Sequence, residues 1–208
     1  IRLSLVGSEM CIRDRGDVAR IKNINIIGNK AFSEKELISL LTLRTPGWFT
    51  WYSKADQYSK QKLAGDIEAL KSFYLNRGYI EMQIESTQVS ITPDKKDIFI
   101  TINIKEGEKF TVSDIKLEGE MLGREAELNS LLQLKKGDVF SGEKLTASTK
   151  NISDRLGNFG YAFANVNANP QIDREKKEVA FTVMIDPGKR VYVRNINISG
   201  NTKTRDEV

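Results

Sequence analysis

The chain has 208 residues, 39% hydrophobic and 29% charged, a balance typical of a water-soluble globular protein. It contains no histidine and a single cysteine, Cys11, which excludes Ser/His and Cys/His nucleophile pairs, imidazole ligands and any internal disulfide. The net charge of +4 is spread over interleaved basic and acidic residues, without the cluster that nucleic acid requires, and no apolar run approaches the roughly 18 residues of a membrane span.

Residues 1–15, IRLSLVGSEMCIRDR, match nothing else in the chain. They read as a non-native, artefactual segment resembling translated sequencing adapter; the alternative is a truncated signal peptide, but no long apolar core or cleavage site is visible. They are set aside from fold reasoning. The chain beyond them contains no cysteine, which is compatible with an oxidising compartment. From residue 18 the organising feature is a strand signature that occurs three times. It reads Ile21-x-x-Ile24-x-Ile26-x-Gly28, Val112-x-x-Ile115-x-Leu117-x-Gly119 and Val193-x-x-Ile196-x-Ile198-x-Gly200. Intervals of 91 and 81 residues between the glycines are the size of small domains, so the repeat counts modules. The expected division is 18–108, 109–189 and the truncated start of a third module over 190–208.

In the first module, a strand over Ile21 to Ile27 changes phase near its start, which predicts a bulge. Gly28-Asn29 closes it in a turn. Ser33-x-x-Glu36 is a capping box for a short helix whose inner face is Leu37, Leu40 and Leu41. After a loop containing Trp48 and Trp51, expected to pack rather than form a client platform, comes a second helix striped by Leu63, Ile67, Leu70 and Tyr74. It stops at Arg77-Gly78-Tyr79. Asp66 and Glu68 on this helix are expected to face solvent. A strand over Ile80 to Ile91 slips in phase between Ile84 and Val89, which predicts that Val89 and Ile91 face away from the earlier apolar set. Pro93–Lys96 turns the chain into a strand with Ile98, Ile100, Ile102 and Ile104 in unbroken alternation, running into Glu106-Gly107.

The second module repeats the order. A strand over Val112 to Leu117 leads to a helix bearing Leu128, Leu131 and Leu132. A longer helix follows, capped by Ser141 and faced by Leu145, Ile152 and Leu156, and ends at Phe159-Gly160-Tyr161. Strands over Ala162 to Ala168 and through Val179, Phe181, Val183 and Ile185 complete it, before Pro187-Gly188. The glycines Gly28, Gly78, Gly119, Gly160 and Gly200 are read as structural turns.

The order β-α-α-β-β predicts an α+β fold: two helices packed on one face of a three-stranded mixed sheet. The third strand is central, paired antiparallel with the second through the hairpin and parallel with the first through the helical crossover. The second strand is left as an open edge, with Glu85, Ser86, Thr87, Gln88, Val89 and Ile91 as candidate partner-binding residues. Four or five backbone hydrogen bonds at about 1 kcal/mol each give roughly millimolar affinity, suited to transient contact with unfolded chains. No Gly-rich phosphate loop or metal-ligand spacing is visible, so no catalytic, cofactor or metal site is expected.

These residues resemble POTRA domains, in the strand order, in Gly28-Asn29 and Gly200-Asn201, and in the turns at Arg77-Gly78-Tyr79 and Phe159-Gly160-Tyr161. The segments Gln61–Asp66, Ser86–Ser90 and Thr92–Lys96 are similar to the third POTRA domain of the BamA family of outer-membrane β-barrel assembly factors. Residues from about 110 to 189 resemble the fourth domain and 191–208 the start of the fifth. The resemblance implies a non-enzymatic scaffold on the periplasmic side of the Gram-negative outer membrane, preceding a C-terminal barrel. It implies unfolded outer-membrane proteins and accessory lipoproteins as partners. The propeller-type BamB would meet the first module along its second strand at Glu85, Val89 and Ile91. BamD docks mainly on the family's fifth domain, so the resemblance does not carry that docking to this chain. The alternative is the POTRA array of a related translocation-assembly or two-partner secretion transporter.

Overall fold

A computed structural model describes residues 19–43 and 58–192. The expectations for residues 1–15, for Trp48 and Trp51, and for the third copy of the strand signature with Gly200 lie outside the described residues. Among the described residues the chain forms two compact units, one of residues up to Lys71 with Met82–Glu106, the other of Ser72–Glu81 with residues 107–192.

The first unit opens with β1 (Arg20–Ile27), then α1 (Glu34–Ser39), α2 (Lys60–Leu75, its last turn assigned to the second unit), β2 (Gln83–Ile91) and β3 (Asp97–Lys105). The sheet order is β1-β3-β2, with β1 parallel and β2 antiparallel to β3. The alternation of β3 drives this arrangement. Ile98, Ile100, Ile102 and Ile104 are all buried, and a strand with one fully apolar face must be covered by helix. The phase change in β1 is a bulge between Ile21 and Asn23 that keeps Ile21, Ile24 and Ile26 on the buried face. Ser33 caps α1, its hydroxyl accepting the Glu36 amide at 3.3 Å. Leu37 and Leu41 are buried, but Leu40 is exposed, contrary to the helical expectation. The helix ends at Ser39, and Leu40 is its C-cap rather than a member of the stripe.

The second unit contains β4 (Thr111–Gly119), α3 (Glu125–Ser130), α4 (Gly142–Asn158), β5 (Asn165–Asp173) and β6 (Glu178–Asp186), with sheet order β4-β6-β5. β4 is parallel and β5 antiparallel to β6, and β4 bulges between Val112 and Asp114 as β1 does in its counterpart. Val179, Phe181, Val183 and Ile185 of β6 are buried against Leu128, Ile152 and Leu156 from the helices and Phe110, Val112 and Phe140. Ser141 caps α4, accepting the Lys144 amide at 3.4 Å. The strand expected over 162–168 lies at Asn165–Asp173. Ala162 and Phe163 belong to the turn, and the ladder continues past Ala168 straight through Pro170.

The signature glycines have a steric cause beyond turn formation. Gly28 has φ +97° and Gly119 φ +104°, and a Cβ on either would sit 2.0 or 2.1 Å from the carbonyl oxygen of Ile104 or Ile185. At this positive φ a Cβ would point sideways into the backbone of the neighbouring central strand, and only glycine leaves room. Gly78 and Gly160 lie just past the ends of their helices, with the Tyr79 and Tyr161 amides bonding back to the carbonyls of Tyr74 and Leu156. Their own carbonyls accept the amides of Phe110 and Val191, 81 residues apart, at 2.9 and 2.7 Å.

Asp66 is buried, only 1% exposed, not solvent-facing as its place on the helix suggested. Its carboxylate accepts the Thr42 amide and hydroxyl, each at 2.7 Å, and the Leu43 amide at 3.0 Å. It thereby satisfies the backbone donors just beyond α1. Ser148, 82 residues on, does the same on α4: it is fully buried, accepts the Gln133 amide at 2.8 Å and donates to the Lys144 carbonyl at 2.7 Å. Glu68 faces solvent and pairs with Lys71 at 2.8 Å.

Candidate functional site

A strand can accept a guest only where consecutive outward N–H and C=O groups are free, so the four outer strands differ in what they offer. β1 bulges near its start, and the Ile26 amide already donates to the Glu34 carboxylate at 3.1 Å. β4 is paired at its beginning by residues 137–140: Val112 donates to Asp138 at 2.8 Å, and Gly137 donates back to Val112 at 2.7 Å. The Ile115 amide of β4 goes to the Asp114 carboxylate at 2.9 Å.

β2 is different. It lies at the edge of its sheet, beyond β3, and its residues Ser86–Ile91 pair continuously with Asn103–Ile98. At the hairpin the Thr92 amide donates inward to the Asp97 carbonyl at 3.0 Å. Counting back in steps of two, the amides of Ser90, Gln88 and Ser86 also face β3, while Thr87, Val89 and Ile91 turn both backbone groups outward. Among the described residues, no hydrogen bond engages these three from outside. They make an unbroken row of three donors and three acceptors with Val89 at its centre.

The side chains correct the reading of the phase slip. Glu85 is the extra residue of a bulge between Ile84 and Ser86. The bulge absorbs the slip, so Thr87, Val89 and Ile91 face the same side as Ile84, opposite Ile102, Ile100 and Ile98. They are on the helix-covered face, not turned away from it. Position at the margin, not orientation, leaves Val89 half-buried and Ile91 55% exposed. Ser86, Gln88 and Ser90 lie on the uncovered face, with the Asn103 amide donating to the Ser86 hydroxyl at 2.6 Å. Glu85 projects into solvent from the bulge. The strand therefore presents an apolar row on one side and a hydroxyl and amide row on the other.

No group of three or more Cys, Asp or Glu residues able to hold a metal ion occurs among the described residues, and no described helix is long and apolar enough to cross a membrane. Two carboxylates sit below their ordinary range: that of Asp94, through the Thr92 hydroxyl and the Lys96 amide in the hairpin, and that of Glu127, through Arg124 and then Arg155. Both serve local structure rather than the open edge.

Comparison with known proteins fits this architecture. The POTRA family model, described as "Surface antigen variable number repeat", matches residues 19–107 and again 110–188. The chain is 36% identical over 196 residues to the outer membrane protein assembly factor BamA of Neisseria meningitidis, covering 94% of this chain and 25% of that protein. It is 32% identical to BamA of Buchnera aphidicola, covering 94% and 32%. It thus spans a quarter to a third of the length of these relatives. The crystal structure of Haemophilus influenzae BamA POTRA3-5 superposes with a TM-score of 0.75 at 28% identity, covering 90% of this chain and 74% of that one. Two matched modules, the mixed three-stranded sheets and these relatives lead to one conclusion: the chain belongs to the POTRA-domain family, as it occurs in outer-membrane protein assembly factors.

Proposed function

We propose that this chain is a periplasmic, non-enzymatic part of an outer-membrane protein assembly factor, and that it engages unfolded outer-membrane proteins and accessory lipoproteins by adding their strands to β2. The observation that carries this reading is the free row at Thr87, Val89 and Ile91 on an edge strand. The chemistry of its two sides supports it as well. A guest paired with β2 would place alternate residues beside Val89 and Ile91 and the others beside Ser86, Gln88 and Ser90. That favours a strand of strictly alternating polarity, which is the pattern of a membrane β-barrel strand. Extra apolar contacts beside Val89 and Ile91 would raise affinity above the millimolar level of backbone bonds alone.

The test is Val89→Pro with amide hydrogen exchange as the readout. In the unaltered chain, a barrel-strand peptide or a lipoprotein partner should slow exchange at Thr87, Val89 and Ile91. In the variant, that protection should vanish at Thr87 and Ile91 while the inward amides of Gln88 and Ser90 stay protected. Partner binding that survives the proline would show that the edge does not pair.

A further inference from the structure

The second module carries a proline where the first carries Val89. The correspondence is fixed by pairing: Val89 lies opposite Ile100 and Pro170 opposite Phe181, and Ile100 and Phe181 are equivalent residues of the central strands, 81 positions apart. The neighbours correspond too, Thr87 with Ala168 and Ile91 with Ile172, and both isoleucines are exposed. β5 is otherwise the more regular edge. Its ladder with β6 runs from Asn165 to Asp173 without a bulge, whereas β2 has one at Glu85.

An unbroken ladder containing proline constrains where the missing donor lies. Proline has no N–H, so it is tolerated within a strand only where that N–H would point away from the partner. Pro170 therefore faces its nitrogen and ring outward, at the centre of the row Ala168, Pro170 and Ile172. A guest strand approaching β5 would lose the middle donor and meet ring carbons where its carbonyl should dock. With β1 and β4 already interrupted by Glu34, by residues 137–140 and by Asp114, β2 remains the continuous acceptor among the described strands.

We infer that Pro170 closes the second module to strand addition, confining it to β2, and that this one residue determines which of two equivalent edges accepts a guest. The inference rests on the strand-accepting role of β2. Among the described strands the closed edge leaves one place for a guest, and it removes an aggregation-prone margin from the second module.

The experiment exchanges the two residues and reads backbone exchange by NMR. The variants are Pro170→Val, Val89→Pro and the double exchange, and the probe is a ten-residue peptide alternating valine and threonine between terminal lysines. Peptide at about four times its dissociation constant should slow exchange at a paired amide about fivefold. In the unaltered chain the slowing is expected at Thr87, Val89 and Ile91 and absent at Ala168 and Ile172. Pro170→Val should add it at Ala168 and Ile172, and the double exchange should move it wholly to β5. Self-association of the Pro170→Val protein through the same two amides would equally uphold the inference. Protection of Ala168 and Ile172 in the unaltered chain overturns it, as does a Pro170→Val protein whose β5 amides respond neither to peptide nor to a second copy. Inward amides Asn167 and Asn169 report in each case that the ladder is intact. Absence of slowing at β2 in the unaltered chain would sink the strand-accepting role instead, and the β5 response to Pro170→Val would still decide what the proline does.

Discussion

The two modules share a skeleton and differ at their margins. Gly28 and Gly119, Gly78 and Gly160, and the buried pair Asp66 and Ser148 occupy equivalent places and answer the same geometric demands. The outer rows diverge: Thr87-Val89-Ile91 against Ala168-Pro170-Ile172, and a bulge in β2 against none in β5. What the fold requires is repeated, and what a partner would meet is not. A family scaffold can therefore be copied along a chain while each copy keeps a different surface.

The largest effect should come from breaking what is common. Gly28→Ala and Gly119→Ala each drive a Cβ to about 2 Å from a central-strand carbonyl at a positive φ. Each should cost about 4 kcal/mol or more, enough to unfold its own module, measured by urea denaturation with module-specific probes. Equal losses at the two sites would establish the close approach as a shared constraint. A mild loss at either would show that the two neighbouring strands can part there, and that the modules differ in their skeleton as well as their edges.

The shared skeleton is the part that local pattern exposes. The alternation in Ile98–Ile104 and Val179–Ile185, the capping serines Ser33 and Ser141, and the bulge near Ile21 are written in neighbouring residues, because their causes are local. Asp66 is illegible for the opposite reason. A carboxylate beside a helix stripe looks solvent-bound until the end of α1, 24 residues earlier, is brought against it. The polar Ser148 at the matching place in the second helix is the available signal. The phase slip in β2 is visible in the sequence, but its consequence is not. One inserted residue can restore a face as readily as reverse it, and only pairing with Ile104 and Asn103 decides. Pro170 is hidden by its own reputation, since a proline argues for ending the strand at Ala168, and tolerance depends on which side of the ladder its nitrogen faces.

The buried polar pair sharpens the comparison at intermediate scale. Asp66→Ala would strand two backbone amides and a hydroxyl, whereas Ser148→Ala would strand one amide. Losses of about 3 and about 1.5 kcal/mol are expected in the same denaturation assay. Near-equal losses would mean that water reaches the end of α1 in the variant and replaces the carboxylate, so that the donor count does not set the cost.

The smallest effect separates two ways of holding a carboxylate ionised. Asp94 is depressed chiefly by the Thr92 hydroxyl, a neutral donor in the β2–β3 hairpin, and Glu127 chiefly by Arg124, a charged one beside α3. Both folded values lie below the ordinary ones. Each contribution is thus complete above the ordinary carboxylate range and fades as pH falls through the lower folded value. Carbon-detected NMR titration should find both groups low at modest salt. Thr92→Val should return Asp94 towards its ordinary value, and Arg124→Gln should do so for Glu127. Raising salt to about 1 M, where the screening length is about 3 Å, should lift Glu127 and leave Asp94 nearly unmoved, because a hydroxyl donor carries no net charge to screen. If the two rise together, charge and not the hydroxyl governs the hairpin, and Lys96 becomes the residue that holds Asp94 down.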